Sequence, residues 1–448
     1  MFNMQRGVKN ESAVCSKNAV VNILLVTNAL SWYLWFFSFL KNNLNFVDDV
    51  FVMFSGGNLF SISAANVLVL IVGVNLLSVS LAAFLSTKFQ KIENRLRFIV
   101  YWMAIGVLLS PAILFVGSGS FCCVVLISCI MGVYFGFGFP VLMGYYTANT
   151  VGVNRAKISG LAVFFTFLCF ALLSLLFHNV VLVALVLVLW KLCGLIAILL
   201  LKPSEKTTVT EEPVSYRTVL KTRSVLLYFV PWLIFSIVNN FAFPVLYTVF
   251  DKSFIDFFTM LEGVLVGIFA ILFGFLADYM GRKRLLFFGF TMLGLGYAIL
   301  GLFPSYTRGL LFYTVADSIA WGIFMTLFLL TVWGDLADEK SGEKFFVIGF
   351  LPYLFSNFLQ VLFGHYIATV VTDLTAVFAF AGFFLFITVV PLYMAHEPLS
   401  EKLLKDNDLK RYSFQIQERA NKEKNGGGKN FLARLKDKFL KFVGRSKV

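Results

Sequence analysis

The sequence predicts an all-α membrane protein with twelve transmembrane helices in two pseudo-symmetric six-helix halves. Hydrophobic residues make up 59% of the 448 residues and charged residues only 14%, whereas about a quarter of a soluble chain is charged. Twelve apolar runs are long enough to cross a bilayer, which takes about 20 residues each. One polar connection divides these runs six and six, as two repeated halves require.

The twelve runs are predicted as helix 1 to helix 12, numbered in chain order. The first run lacks a small-residue cleavage site, which favours a retained helix over a signal peptide. Helices 5 and 6 are separated by almost no polar sequence, but together they are too long for one span. The runs lie near 19–40, 61–86, 98–116, 120–146, 157–177, 179–201, 224–250, 257–278, 285–303, 309–333, 345–370 and 374–396.

The polar connection at 202–223 is predicted as a cytoplasmic linker between two halves. It separates residues 1–201, the first six-helix half, from residues 224–396, the second. A weak internal echo supports a repeat, because 85–98 corresponds to 276–288 at an offset of about 190 residues.

The tail at 397–448 is predicted to be cytoplasmic, basic and to contain an amphipathic helix. Its apolar residues recur at helical spacing among lysines and arginines, which suits an anionic membrane surface. The alternative is a disordered basic tail. The apolar positions are Phe431, Leu432, Leu435, Phe439, Phe442 and Val443.

The distribution of cations predicts the orientation of the chain. Of the 37 lysines and arginines, 33 fall in segments on one side of the predicted membrane and 3 on the other, and Lys191 lies within helix 6. Cytoplasmic segments carry the excess of positive charge. We therefore expect a multi-pass protein of the cell membrane with both termini in the cytoplasm. The net charge of +13 does not indicate nucleic-acid binding, because the cations are sorted by side.

The loop between helices 8 and 9 carries the most specific motif in the chain. Three consecutive cations follow a carboxylate and two glycines in a connection that allows a tight reversal. The carboxylate of Asp278 lies at the end of its helix, where it can accept charge-assisted hydrogen bonds from a cation or from the N-terminus of a neighbouring helix. The motif residues are Gly274, Asp278, Gly281, Arg282, Lys283 and Arg284.

This pattern, G-x-x-x-D-x-x-G-R-K-R, resembles the loop signature of the major facilitator superfamily, whose members are secondary transporters of two six-helix halves. The resemblance implies the major facilitator fold and a role for Asp278 and Arg282 in the inner gate. The equivalent loop of the first half keeps Lys88, Lys91 and Arg95 but lacks the D-x-x-G-R core. This difference puts a symmetric gate in doubt.

In the resembling family, helices 1, 4, 7 and 10 line the central cavity. The polar and aromatic residues of those helices are therefore the predicted substrate-binding residues, and several of them share one helical face. They are Asn28, Trp32 and Trp35 in helix 1, Tyr134 in helix 4, Trp232, Asn239 and Asn240 in helix 7, and Tyr313, Asp317 and Trp321 in helix 10.

Asp317 is the strongest single candidate for a functional residue, because a carboxylate deep in the membrane is energetically costly unless it is protonated, paired or hydrated. It is predicted to be a substrate counter-ion or the proton-coupling site, and the alternative is a structural hydrogen bond to a neighbouring helix. Lys191 in helix 6 is predicted to have a packing or lipid-headgroup role, and the alternative is a substrate role. Glu262, near the start of helix 8, is predicted to be interfacial.

Small residues and prolines in three of the helices carry expectations about packing. A stripe of Gly263, Gly267 and Gly274 on helix 8 allows close helix contact, and the resemblance implies that helix 8 meets helix 5 across the two halves. Pro140 and Pro244 are expected to bend or break helices 4 and 7.

These features predict a secondary active transporter that moves a small organic solute, neutral or cationic and amphipathic, by alternating access with proton coupling. The charge-poor aromatic cavity argues against polyanions, which would need cavity arginines or lysines. Sugar or metabolite uptake is the alternative within this class, although helix 7 has no Q-Q-x-x-G-x-N run. A non-transporting lipid-handling or sensor protein of the same fold is the alternative outside it.

The sequence does not indicate an enzyme. It carries no H-E-x-x-H, Walker or G-x-S-x-G motif, and its histidines and cysteines have no metal-ligand spacing. No cofactor and no metal are expected. The expected partners are a small-molecule substrate, membrane lipids and protons, and the chain is expected to be a monomer that does not bind nucleic acid.

Overall fold

The computed structural model contains twelve helices that are long and apolar enough to cross a membrane. It describes residues 2–43, 50–53, 59–62, 64–89, 95–116, 121–174, 179–203, 214–304, 306–337, 342–370, 373–399 and 416. The predicted number of spans is therefore confirmed, and the chain is a multi-pass membrane protein. Residues Met1–Pro398 form one compact unit. The predicted tail helix lies outside the described residues.

The first half contains helices 1 to 6. Helix 3 tightens into a 3-10 turn, Ser110–Phe115, whose second residue is Pro111. The bounds are Phe2–Asn43, Ala64–Phe89, Arg95–Leu109, Phe121–Asn149, Gly152–Ser174 and Val180–Leu201.

The second half contains helices 7 to 12, preceded by a short linker helix, Tyr216–Lys221. Helix 10 is interrupted by a π-helical turn, Met325–Leu329, and resumes at Val332–Ala337. Helix 12 is likewise interrupted at Thr388 and ends with Val389–Met394. The other bounds are Arg223–Val249, Lys252–Met280, Arg282–Leu302, Thr307–Phe324, Glu343–Val370 and Leu374–Ile387.

Some local expectations differ from the structure. An antiparallel hairpin of β1, Val50–Met53, and β2, Leu59–Ile62, lies between helices 1 and 2, and the sequence did not predict it. Pro244 was predicted to break or kink helix 7, and the break is wrong because the helix continues past it to Val249. A proline removes only one backbone donor, and neighbouring helices sustain such helices in membranes.

The two halves repeat the same packing scheme. In the first half, helix 1 packs on helices 5 and 6, helix 2 on helix 4, and helix 3 on helices 4 and 6. In the second half, helix 7 packs on helices 11 and 12, helix 8 on helix 10, and helix 9 on helices 10 and 12, which are the corresponding pairs. Between the halves, helix 5 packs along helix 8 and helix 2 along helix 11. The predicted two-fold repeat is therefore visible in the packing.

Glycine sets the closeness of the helix 5–helix 8 contact. A Cβ atom at Gly160 would lie 2.3 Å from the carbonyl oxygen of Ala270, and one at Gly274 would lie 2.7 Å from that of Ala156. Gly263, farther along the stripe, leaves 3.8 Å to its nearest neighbour. The expected meeting of helices 5 and 8 is confirmed, and two glycines permit it because only they let the backbones approach so closely.

Candidate functional site

An aromatic layer joins the two halves near the middle of the bundle. It comprises Tyr33, Phe135, Phe139, Phe350, Tyr353, Trp232 and Trp321. From helix 1 to helix 4 the rings of Tyr33 and Phe135 stack with centroids 3.9 Å apart, and the Phe139 and Phe350 rings meet across the halves at 5.1 Å. Such pairs contribute beyond their burial, so the layer is a continuous, mostly apolar surface shared by both halves.

Helices 7, 10 and 11 complete the layer. The Trp232 indole donates a hydrogen bond to the carbonyl of Gly349 at 2.8 Å and stacks on Tyr353. The Trp321 ring meets Tyr353 edge-on at 6.2 Å and stays partly exposed. Apolar rings with a few polar atoms are typical of sites for small organic molecules.

A carboxyl pair lies beside this layer in the second half. The carboxyl groups of Asp317, in helix 10, and Glu262, in helix 8, are within hydrogen-bonding distance of each other. Asp317 is 2% exposed. Neither carboxyl group pairs with a lysine or arginine in the part of the chain that the structure describes. Because a carboxylate has no donor, a hydrogen bond between them needs a bound proton.

A chain of hydroxyl groups extends the carboxyl pair toward helix 7. Tyr313 lies one turn before Asp317 in helix 10, and its hydroxyl donates to the Tyr297 hydroxyl at 3.2 Å. The Tyr297 hydroxyl in turn donates to Oδ1 of Asn239 at 3.0 Å. Helices 7, 8, 9 and 10 are thus connected by one buried polar network, and such networks are sensitive to the loss of any member.

The first half holds a buried lysine in an aromatic cage. Lys191 of helix 6 is 0% exposed, and its Nζ lies 4.8 Å, 4.9 Å and 5.5 Å from the ring centroids of Trp32, Trp102 and Tyr134. These distances are within the range of cation–π attraction. The predicted lipid-headgroup role of Lys191 is not supported, because the side chain points into the bundle.

Ionic contacts across the two halves close one end of the bundle, where helices 4 and 5, 8 and 9, and 10 and 11 are connected; we call it the latched end. Arg282 pairs with Asp278 at 2.8 Å and, through Nε, with Asp335 at 3.0 Å. Arg155 of helix 5 pairs with the other oxygen of Asp335. All four side chains are buried. A buried charge needs such pairing to offset its desolvation.

Asp278 makes the hydrogen bonds that the sequence predicts. Its carboxylate accepts from the backbone amides of Ala156 at 3.3 Å and Lys157 at 2.9 Å, in the first turns of helix 5. Ala156 and Lys157 are the fifth and sixth residues of helix 5, near the end that carries the partial positive charge of the helix dipole. The contact joins the two halves, because helix 5 belongs to the first and Asp278 to the second.

A second ion pair occupies the equivalent place on the other side of the latched end. Arg95, at the start of helix 3, pairs with Glu343, at the start of helix 11, through a 2.6 Å contact. The first half lacks the loop signature, yet it contributes a cross-half contact of its own. The two sides of the latched end therefore carry cross-half contacts of different chemistry.

Helix 9 is also tied to the end of helix 12. The Glu397 carboxylate accepts hydrogen bonds from the backbone amides of Arg282 at 2.7 Å and Lys283 at 3.1 Å. The Lys283 ammonium donates to the carbonyls of Tyr393 and Ala395. Gly281 precedes these residues with a φ of +94°, a conformation that favours glycine. Arg284 is exposed.

The predicted substrate-binding residues separate into groups. Trp232 and Trp321 lie in the aromatic layer, and Asp317, Tyr313 and Asn239 lie in the polar network. Asn240 donates to the Ser356 hydroxyl of helix 11 at 2.9 Å. The residues of helix 1 and helix 4 instead contact the interior of the first half, as follows: Asn28 donates to the Trp190 carbonyl, Trp32 to Ser110, Trp35 to the Phe170 carbonyl, and Tyr134 belongs to the cage.

Sequence reasoning missed several residues that the structure brings to these places. Tyr33 and Tyr353 belong to the layer although neither was a candidate, and Arg155, Asp335 and Glu343 complete the latched end. Glu262 was taken as interfacial, yet it contacts Asp317. The paired presence of Glu262 and Asp317 in two apolar runs was the only sequence signal that could have found the carboxyl pair.

The chain was compared with known proteins. No family model and no curated protein sequence matches it. Solved structures do match: the human organic anion transporter MFSD10 (TETRAN) has a TM-score of 0.58 at 14% identity, covering 84% of this chain and 99% of that one. The proton:xylose symporter XylE, bound to 6-bromo-6-deoxy-D-glucose, has a TM-score of 0.60 at 15% identity, covering 88% and 99%.

These similarities show that the chain has the major facilitator fold, which the loop motif predicted. Both matched proteins are transporters.

Proposed function

We propose that this chain is a proton-coupled secondary transporter that moves a small, neutral or cationic, amphipathic solute by alternating access. The observation that carries the proposal is that two carboxyl groups, Asp317 and Glu262, face each other inside the bundle, one helical turn from Trp321 of the aromatic layer. A proton shared by two carboxyl groups is released when the pair separates or hydrates, because the charged forms are then solvated. Movement of helix 8 against helix 10 would couple that release to transport.

The aromatic layer supports the proposed substrate class. Its rings offer stacking and cation–π contacts, and the neighbouring carboxyl pair offers negative charge. The first-half cation, Lys191, lies in an aromatic cage inside its own half, apart from the layer. Sugar uptake remains an alternative, since XylE is a xylose symporter and tryptophan with asparagine also suits sugars. A non-transporting protein of the same fold would show no flux at all.

Alternating access is supported by the arrangement of contacts at the latched end. The Arg95–Glu343 and Arg155–Asp335 ion pairs there join the first half to the second. We propose that the latched end faces the cytoplasm, so that the described conformation is closed on that side. Rocking of residues 1–201 against 224–396 would break these contacts and open the cytoplasmic side.

Cysteine labelling tests this orientation. Single cysteines at Asn43 and Lys340, in a cysteine-free background, should react with impermeant reagents from opposite sides of the membrane. Labelling of both positions from one side would overturn the both-termini-inside topology.

The coupling proposal is tested with purified protein in proteoliposomes. Tetraphenylphosphonium, ethidium and D-xylose serve as probes, first in a thermal-unfolding screen, because a ligand that binds the folded state raises the unfolding midpoint. Radiolabelled forms of any stabilising probe are then used to measure exchange and uptake driven by a pH gradient. Flux of the two cations supports the proposed class, flux of xylose alone supports the sugar alternative, and no flux supports a non-transporting protein.

Asp317→Asn and Glu262→Gln separate the possible roles of the carboxyl pair. If the pair carries the coupling proton, both variants should retain exchange but lose accumulation driven by the pH gradient. If Asp317 is only a substrate counter-ion, Asp317→Asn should lose binding of the cationic probes and spare D-xylose. Asp251→Asn, an exposed acid at the start of helix 8 whose side chain makes no capping bond, is the control. Unchanged uptake and affinity in both variants would leave the pair a structural contact.

A further inference from the structure

The cage around Lys191 leaves its ammonium without an oxygen or nitrogen partner. Among the described residues, the only hydrogen-bond acceptor recorded for Nζ is the sulfur of Met103, at 3.9 Å. No aspartate or glutamate in the described part of the chain forms an ion pair with it. The three aromatic faces stabilise positive charge, but they do not replace acceptors for three N–H groups.

Two further polar groups of the same cluster are buried without a partner. The Tyr134 hydroxyl and Oδ1 of Asn28 have no hydrogen-bond partner among the described residues. The ring of Tyr134 is a wall of the cage, and Asn28 lies beside Gly194, one turn along helix 6 from Lys191. Buried polar groups are rarely left unpaired, and a cluster of them indicates an unseen water or ion.

Glycines make the room in which the cage forms. A Cβ at Gly106 would lie 2.1 Å from the Tyr134 hydroxyl oxygen and 3.2 Å from Cδ of Lys191. A Cβ at Gly138 would lie 2.0 Å from the Trp102 indole. The hydroxyl of Tyr134 and the lysine side chain thus converge on one place that a larger residue at position 106 would fill.

In the part of the chain that the structure describes, the groups found around the ammonium are uncharged. Helix 1 contributes Trp32, helix 3 contributes Trp102 and Met103, and helix 4 contributes Tyr134. The cluster therefore holds two donors, the Lys191 ammonium and the Tyr134 hydroxyl, and one acceptor, Asn28 Oδ1, which can accept a hydrogen bond from a bound water. One positive charge and one O–H donor in a low-dielectric site suit a ligand group with a single negative charge.

We propose that the cage is a binding site for a monovalent anionic group, which pairs with Lys191 and accepts a hydrogen bond from Tyr134. The anionic group is either a free halide ion or the carboxylate of an organic solute. The apolar walls disfavour strongly hydrated polyanions, whose dehydration costs more than one ammonium returns. The site lies within the first half, apart from the carboxyl pair, and it does not depend on the proposed coupling mechanism.

Thermal unfolding of the full-length protein in detergent tests the site with defined salts. Sodium bromide and sodium benzoate are each titrated against sodium isethionate at equal ionic strength. An anion that binds the folded protein raises the unfolding midpoint with the logarithm of its concentration above the dissociation constant. Saturable stabilisation by bromide alone indicates a free-ion site, and stabilisation by benzoate at lower concentration indicates an organic carboxylate. Either result supports the proposal.

Three variants decide whether Lys191 carries the effect. Lys191→Met should abolish the bromide or benzoate dependence, and Tyr134→Phe, which keeps the ring, should weaken the apparent affinity about tenfold, the cost of one hydrogen bond to a charged group. Lys157→Met is the matched control, since its ammonium also lies over a ring, Phe275, but is exposed. Its response should equal that of the wild type. Tyr134→Phe remains informative if Lys191→Met does not fold.

Two results would overturn the proposal. One is equal unfolding midpoints in bromide, benzoate and isethionate for the wild-type protein, which would mean that the rings and water alone satisfy the ammonium. The other is an anion response in Tyr134→Phe and Lys191→Met that matches the wild type, which would locate the anion elsewhere.

Discussion

Replacement of Asp278 by asparagine should shift the protein toward the conformation in which the latched end is open. The carboxylate accepts two hydrogen bonds from helix 5 of the other half, at 2.9 Å from Lys157 N and 3.3 Å from Ala156 N, and one ion-pair contact from Arg282. The asparagine amide has only one acceptor oxygen, and its NH2 group would face a backbone donor. One cross-half hydrogen bond is therefore lost and the other becomes neutral.

The size of the shift follows from these contacts. A hydrogen bond in which one partner is charged contributes about 1.5–3 kcal/mol, and a hydrogen bond between two uncharged groups contributes roughly half of that. Arg282 keeps its contact with Asp335, so the loss falls mainly on the bonds to helix 5. Losing one such bond and halving the other gives a net change of about 2–4.5 kcal/mol, which is roughly a 40- to 2000-fold change in the ratio of closed to open forms. A hundredfold preference for the closed form would fall to near equality or be reversed.

Distance measurements by pulsed electron paramagnetic resonance provide the assay. Spin labels at Lys88 and Arg284, both exposed and in different halves, report the separation of the halves at the latched end in lipid nanodiscs. Asp373→Asn is the control, because Asp373 also accepts a hydrogen bond from a helix N-terminus, at 3.1 Å, but within one half. Folded Asp278→Asn protein with the distance distribution of the wild type would reduce this loop to a signal for membrane orientation.

Three other perturbations probe the same framework. Gly160→Ala should separate helices 5 and 8 and lower the unfolding midpoint, because overpacking costs about 1–3 kcal/mol. Gly263→Ala is the control and should be neutral or slightly stabilising, since a Cβ there would lie 3.8 Å from its nearest neighbour. Equal effects of the two variants on the unfolding midpoint would contradict the packing argument. Arg95→Gln and Glu343→Gln should each lower the free energy of unfolding by about 3–5 kcal/mol, because each leaves a buried charge unpaired. A double variant whose loss equals the sum of the two single losses would show that the residues do not act as a pair. Tyr297→Phe removes the hydroxyl between helices 7 and 10 and should change the pH dependence of uptake with no loss of exchange; an unchanged pH profile would exclude the hydroxyl chain from coupling.

The loop motif illustrates what local sequence predicts well. Asp278 stands at a helix end with cations beside it, so its need for donors and the reach of Arg282 follow from neighbouring residues. The sequence indicated both a cation and a helix N-terminus as donors, and both are present. It did not identify helix 5 by residue, and it did not find Asp335, because the partner Arg155 is 180 positions away.

The helix 1 candidates show the corresponding limit. The spacing of Asn28, Trp32 and Trp35 groups them on one side of a helix, but it does not say toward which neighbour that side is rotated. In the structure these side chains contact helices 6, 3 and 5 of their own half, while Tyr33, one position away, joins the aromatic layer. A rotation of about 100° per residue is enough to exchange a bundle-core position for an interface position.

The sequence by itself determined the class, the twelve spans and the division into two repeated halves, because a bilayer requires long apolar runs whose backbone bonds are satisfied within each helix. That requirement applies to each segment separately, so the composition of the chain and the spacing of its apolar residues are enough to predict it. Only the tertiary structure decided which charged groups meet: Asp317 with Glu262, Asp335 with two arginines, and Lys191 with three rings. Those pairings join residues far apart in the chain, and helix rotation and packing, which the hydrophobic pattern leaves open, select them.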